Sequence, residues 1–307
     1  MAQVPLQQAA KTDTSQNFRP NIQRQVKRNL INHIVIAYGS SLGYQHGAKY
    51  QILRLISRFG TANRKITVVT DHPRLFDNYP VKVLHLDASK KEQWGGGGAD
   101  HFGIKLKGFA WAASLVDTVA HVLLDTDMYW TSDPVKLIEP VRSGLVVMYR
   151  DEGPVMGARN RSIRRFEEGL TQLQLPWSGG IYSLNRESRM YGSAIIGMSR
   201  DNVELMDHAF ELFRVLSPHV EAHTVEQFAL SECLRVRGLK ITEGKRYTNN
   251  WSSTGKKNYA TPVLAEFFEK EGEHEFEAHL ERWESIKINR PMLELVKQKI
   301  NRLRSRP

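Results

Sequence analysis

The chain has one cysteine, Cys233, in 307 residues, which excludes an internal disulfide and any cysteine-based zinc cluster. A reducing compartment fits that count, and a buried position in a helix is the expected role of the thiol. Long apolar runs are also missing. None approaches the ~18 to 20 residues needed to span a bilayer, and residues 1 to 28 lack the apolar stretch of a signal peptide, so a cytoplasmic protein is expected. No Gly-Lys-Ser/Thr follows the glycine-dense Trp94-Gly-Gly-Gly-Gly98, so that stretch is a flexible loop that could act as a lid, not a phosphate-cradling P-loop. The histidines, His46, His101 and His223 among them, show no metal-ligand spacing. Zinc-finger spacing, a basic region followed by heptads and an aromatic RNA-binding signature are absent too, which argues against nucleic acid as the partner.

What is present suffices for a full core: 41% of residues are apolar, and the length asks for one globular domain plus extensions. A net charge of +10 favours an anionic partner such as a nucleotide diphosphate, anionic lipid or nucleic acid, without choosing among them. Residues 1 to 28 carry no periodicity and read as a mobile tail. His33-Ile-Val-Ile-Ala-Tyr38 is a continuous apolar run suited to a strand covered on both faces, and Gly39-Ser-Ser-Leu-Gly43 breaks it. Ile52, Leu55, Ile56 and Phe59 then recur at helical spacing up to Gly60. Strands are expected at 65 to 70 and 81 to 86, and an amphipathic helix at 104 to 116. This order predicts an α/β fold with a mostly parallel central sheet flanked by helices. Further strands are expected at 143 to 149 and 191 to 198, with a mixed, basic insertion at 151 to 189 on the rim of the site. Asp201 is expected to cap a helix, and Thr224-Val-Glu-Gln227 has the form of a capping box. From Pro291 onward Leu293, Val296, Ile300 and Leu303 share one face of a basic amphipathic helix, either docked on the surface or in peripheral contact with an anionic membrane. These readings divide the chain into a tail (1–28), a catalytic domain (29–262) and a C-terminal helical extension (263–307).

The chemistry centres on His121-Val-Leu-Leu-Asp125-Thr-Asp127, an apolar strand that runs into two carboxylates. A strand delivers its C-terminal residues to the rim of an open sheet, where ligands of α/β folds collect. Two hard oxygen donors there can hold Mg²⁺ or Mn²⁺, with water and a substrate diphosphate completing the shell. An Asp-x-Asp triplet arises about once per chain of this size by chance, so its place after the strand carries the meaning.

The ordered set is more specific: the β/α half, a helix bearing Lys105, the strand ending in Asp125-Thr-Asp127, Asp133-Pro134, small residues at Gly192 to Gly197, and the pair Glu226-Gln227. It resembles the GT-A nucleotide-sugar glycosyltransferases, most nearly glycosyltransferase family 8. The likeness runs from Ile34 to about Tyr259 and is most specific from Lys105 to Pro134. The resemblance implies a GT-A-like catalytic domain acting on a nucleotide-diphosphate sugar donor, UDP-linked, and a glycan or lipid-linked glycan acceptor, with retention of configuration. It implies that Asp125 and Asp127 hold Mn²⁺ or Mg²⁺ against the nucleotide diphosphate, Asp125 lying also near the ribose, with Asn250 in the place of the family's third ligand. Ala37, Tyr38 and Asp71 would line the base and ribose pocket. Lys105 would reach the donor sugar or its phosphates, Lys256 or its neighbour Lys257 would close on the diphosphate, and Glu226 and Gln227 would lie beside the reacting carbon. Plainer roles compete with these: Gln227 serving only its capping box, Glu226 a solvated first-turn carboxylate, Lys105 a surface lysine, Asp71 a turn cap, Asp133 a structural residue. A nucleotidyltransferase on a related sheet, or a non-catalytic nucleotide-sugar or nucleic-acid binding module, are the alternative functions.

Overall fold

The computed structural model describes residues 31–95, 101–272 and 275–289. Elements run in the order β1 (Ile31–Ala37), α1 (Leu42–Phe59), β2 (Arg64–Thr70), β3 (Lys82–His85), α2 (Ala88–Gly95), α3 (Gly103–Ser114), β4 (Ala120–Leu124), β5 (Met128–Trp130), α4 (Ile138–Arg142), β6 (Val146–Met148) and β7 (Asp151–Pro154). They continue with α5 (Arg161–Leu170), β8 (Leu175–Trp177), β9 (Gly180–Tyr182), β10 (Arg189–Tyr191), β11 (Ile195–Ser199), α6 (Leu205–Leu216), α7 (Val225–Val236), β12 (Ile241–Glu243), β13 (Thr248–Asn250), α8 (Thr254–Glu271) and α9 (Phe276–Arg282).

Seven strands form one sheet in the order β12-β6-β11-β4-β1-β2-β3. Every pairing is parallel except those of β11, which runs against both β4 and β6. The apolar run at β1 therefore lies at the centre, with Ile34 beside Leu123 of β4 on one side and Thr67 of β2 on the other. Alternation sorts its side chains: Ile34 joins one core, and Ile31, Val35 and Ala37 join the other. On β4, Leu123 points to the first face while Ala120, Val122 and Leu124 point to the second. The first face is covered by α3, α6 and α7, and by α5 through Ile163 and Phe166. The second is covered by α1, α4, α8 and α9, through residues such as Leu53, Val141, Phe268 and Phe276. The result is a three-layer α/β domain, and the 151–189 segment belongs to it because Phe166 packs on Phe228 of α7, ring centroids 4.7 Å apart.

Several local expectations are corrected. Asp201 caps no helix: it lies in a short 3-10 turn, and α6 starts four residues later with no side-chain cap. The capping box at Thr224 does not form, since the Thr224 side chain makes no cap bond. The apolar run from Tyr191 is broken in two. Arg189–Tyr191 pairs with β7, and only Ile195–Ser199 enters the main sheet. Trp94 and Gly95 end α2, while the other glycines of that loop, the tail 1–28 and the basic segment from Pro291 lie outside the described residues. The boundary placed between 262 and 263 falls within α8, whose Pro262 is part of the helix. Cys233 is buried in α7, and burial pushes its thiol well above the usual range. No described helix is long and apolar enough to cross a membrane.

Candidate active site

β4 is buried along its whole length and ends beside β11, where Asp125 N–H donates to Ala194 O (3.0 Å). Met128 N–H donates back to Asp125 O (3.0 Å), so the Asp-Thr-Asp triplet forms a tight turn before β5. The turn is clamped from α1. Gln51 Nε2 donates to Asp125 O (3.0 Å) and Met128 O (3.2 Å). One helical turn earlier, Gly47 lies so close that a Cβ there would stand 2.3 Å from Thr126 O. A glycine inside a helix costs about 1 kcal/mol against alanine, and here it permits the close approach of helix and turn.

Each carboxylate of the turn meets a lysine from a different element. Lys105 Nζ of α3 is 2.7 Å from Asp125 Oδ1, and Lys257 Nζ of α8 is 2.8 Å from Asp127 Oδ2. Solvent still reaches 35% of the Asp125 side chain. Burial nevertheless raises its pKa, opposed by Lys105 and reinforced by the Asp127 charge. For Lys257, burial alone would lower the pKa, but the bond and charge of Asp127 outweigh it and the net shift is upward.

Behind Lys105 lies a buried polar group. Lys105 Nζ donates to Ser193 Oγ (3.1 Å), and that hydroxyl reaches Glu226 Oε1 (3.3 Å). Ser193 N–H donates to Gln227 Oε1 (3.1 Å), while Gln227 Nε2 donates to Glu152 Oε2 of β7 (3.1 Å). Gln227 is thus held at both ends of its amide by groups far along the chain. Glu226 is only 4% exposed, and its Oε2 has no hydrogen-bond partner among the described residues. Burial pushes its pKa up to about 7 against the pull of Lys105. From about pH 4.5 to 7 the native state keeps a proton that the unfolded chain releases, so this group makes stability fall as pH rises through that window. Glu226→Gln should flatten the pH dependence of the melting temperature between pH 4.5 and 7; an unchanged slope would show that Glu226 titrates normally.

No family model matches the chain, and no curated protein matches it. Among solved structures, the chain is similar to galactosyltransferase LgtC in complex with donor and acceptor sugar analogs, at 7% identity and TM-score 0.45, covering 69% of this chain and 73% of that one. An active-site mutant of LgtC gives 7% and 0.44, covering 69% and 72%. A protein described as a glucose-1-phosphate thymidylyltransferase from Bacillus anthracis, in complex with a sucrose, gives 12% and 0.39, covering 76% and 95%. These are distant likenesses of strand and helix arrangement, and they carry no residue's role to this chain.

The structure brings Lys105, Asp125, Asp127, Glu226 and Gln227 together at the rim of the sheet. Tyr38 adjoins them: burial, then the charges of Glu226 and Asp125, drive its pKa upward, and its hydroxyl donates to His101 O (2.7 Å). Ala37 is fully buried in the core under α1. Asp71 Oδ2 accepts from Gly39 N (3.1 Å) and Lys91 Nζ (2.9 Å) and so braces the loop after β1, where Gly39 has φ +105°, while its buried Oδ1 has no hydrogen-bond partner among the described residues. Lys256 is turned aside and donates to Asn250 O (3.0 Å); its neighbour Lys257 is the lysine on the turn. Asp133 is structural, capping Pro134–Leu137 and pairing with Arg64. Three residues of the site had no role in the sequence reading: Gln51, Ser193 and Glu152. Gly47 could have been noticed as a glycine within a helical pattern.

The donor set available to a divalent cation is small. Among the described residues no group of three or more His, Cys, Asp or Glu is placed to hold a metal. Asn250 has its Oδ1 bonded by Ser252 Oγ (3.0 Å) and its Nδ2 bonded to Tyr149 OH (3.0 Å). That leaves Asn250 Oδ1 one further lone pair, while Asp125 and Asp127 each have one oxygen on a lysine. Mg²⁺-type sites commonly use one or two carboxylates plus substrate phosphates. The protein would therefore supply Asp125 and Asp127, with Asn250 as the candidate third ligand, and water and the substrate the rest.

Proposed function

We propose that the chain is a glycosyltransferase that moves a hexose from a UDP-linked donor to a hydroxyl of a glycan or lipid-linked glycan, with Mg²⁺ or Mn²⁺. The observation that carries this reading is the turn Asp125-Thr-Asp127 at the end of a central parallel strand, flanked by two lysines and by the buried trio Ser193, Glu226 and Gln227. Cleavage of a sugar-phosphate bond leaves negative charge on the departing diphosphate, and fixed positive charge aimed there lowers the barrier. Lys257 and Lys105 provide it from the protein. A cation held by Asp125 and Asp127 would add more of the same when bound.

The sugar is then placed near Ser193, where Glu226 and Gln227 meet. In a retaining transfer Gln227, fixed by Ser193 and Glu152, stands beside the reacting carbon. In an inverting one Glu226, with its pKa near neutrality, would take the acceptor hydroxyl proton. Retention is the reading adopted, and the anomeric configuration of the product tests it.

The direct test is thermal unfolding with UDP, with and without Mn²⁺, followed by a panel of nucleotide sugars watched for slow donor hydrolysis. UDP with Mn²⁺ should raise the melting temperature more than either alone. Lys257→Ala should weaken this response about tenfold in UDP concentration, a loss of roughly 1.4 kcal/mol, whereas Lys256→Ala should leave it nearly intact. Indifference to every nucleotide, or pyrophosphate release from a nucleoside triphosphate, would overturn the reading.

A further inference from the structure

We propose that the groove between the start of α3 and the turn that precedes α7 is the acceptor-binding cleft, and that it receives a saccharide against the rings of Phe102 and His223. The inference rests on the transferase reading above. The cleft has a volume of about 670 Å³, and its lining includes Phe102, Arg165, Ser217, His219, Glu221 and His223. That volume lies within the ~300–1,000 Å³ usual for small-molecule clefts.

Its position follows from chain geometry. Phe102 precedes Lys105 by three residues, and His223 precedes Glu226 by three, so each rim residue lies within ~11 Å of its inner partner, measured between Cα atoms. The same two segments meet at two levels. Inside, Lys105 and Glu226 are joined through Ser193 Oγ. Outside, the rings of Phe102 and His223 are 6.4 Å apart at 52°. The cleft thus lies at the outer ends of the two segments whose inner residues form the place assigned to the donor sugar. Three residues along the chain from His223, Glu226 Oε2 is buried, and no hydrogen-bond partner for it is found among the described residues.

Both walls are fixed. On the α3 side, a Cβ at Gly103 would stand 2.4 Å from Trp94 O and 2.8 Å from the Phe210 ring, so this helix start is pressed on its neighbours, and Tyr38 OH holds the His101 carbonyl. On the other side, a Cβ at Gly169 would stand 2.2 Å from His219 O, and Arg165 Nη1 donates to Glu221 O (2.6 Å). A cleft formed in advance spares a ligand the cost of ordering its site.

The lining chemistry favours a neutral polyol. It offers aromatic surface beside donors and acceptors in mixture: guanidinium, two imidazoles, a hydroxyl and a carboxylate. Sugar hydroxyls both donate and accept, so they can use all of these, and the charge of Glu221 in the same lining works against an anion. A second cleft, about 580 Å³ and lined by Thr242, Glu243, Lys245, Arg246 and Thr248, has no aromatic residue in that lining.

The test is capture of the labelled full chain on a glycan array in the presence of UDP and Mn²⁺. Wild type should be retained by a subset of saccharides. Phe102→Ala and His223→Ala should each lower that retention at least tenfold, Phe102→Trp should restore it, and Arg246→Ala should leave it unchanged. Melting curves of each variant check folding, and Phe102→Trp keeps the comparison meaningful if Phe102→Ala unfolds. No retention of wild type, or retention that Phe102→Ala and His223→Ala leave intact or Arg246→Ala abolishes, overturns the proposal. Wild-type melting with UDP and Mn²⁺ separates the two failures: no shift sinks the transferase reading itself, whereas a shift without the expected array pattern sinks only the cleft.

Discussion

Asp127→Ala should reduce donor cleavage by a factor of about 10² to 10³, the usual effect of removing one group that stabilises charge in a transition state. The side chain ends on the turn after β4 and, among the described residues, pairs with Lys257, half exposed on α8. Deleting a pair of that kind costs about 0 to 1 kcal/mol of stability, so the variant should fold and melt close to wild type. The loss would have two parts. One ligand for the cation disappears, and Lys257 loses the carboxylate that holds it over the turn. Asp127→Asn retains an oxygen donor without the charge and should fall between the two. Following UDP release from a hydrolysable nucleotide sugar, alongside a melting curve, checks the claim. Activity retained in Asp127→Ala would remove the turn from the mechanism.

Gly47→Ala should lower both stability and nucleotide binding, although helix propensity alone argues the reverse. In an open helix the change would gain about 1 kcal/mol. Here the new Cβ would lie 2.3 Å from Thr126 O, and the obstructing atom belongs to backbone that cannot rotate away. Either α1 moves off the sheet or the Asp125-Thr-Asp127 turn shifts, and overpacking of this kind costs about 1 to 3 kcal/mol. Since Gln51 clamps the same turn from the same helix, a displaced α1 also releases Asp125 O and Met128 O. The expected result is a lower melting temperature together with a weaker response to UDP and Mn²⁺. A higher melting temperature would mean that propensity wins and the contact is soft.

The pair Thr224 to Gln227 shows where sequence reading stops. A Ser/Thr-x-x-Glu/Gln pattern before an apolar run is written identically whether the glutamine bonds its own helix end or a partner far away. In this chain it does the latter, reaching Ser193, 34 residues back, and Glu152, 75 residues back. Lys256 and Lys257 make the same point. Neighbours on a helix point about 100° apart, and which one faces the turn depends on how α8 docks on α1, where Thr261 Cγ2 would lie 3.1 Å from a Cβ at Gly43.

By itself the sequence determined the layered architecture and the location of the acidic turn. The largely apolar runs at 33 to 38 and 121 to 124, short and rich in Val and Ile or Leu, suit strands covered on both faces, and whatever follows such a strand emerges at the rim of the sheet. Tertiary structure alone decided which lysine meets which carboxylate, that Glu226 is buried and Gln227 is held, and that Asn250 already has partners. Those outcomes depend on the docking of α3, α7 and α8 from opposite faces of the sheet. Side chains that meet there are separated by 20 to 130 residues of chain, and no local pattern encodes that distance.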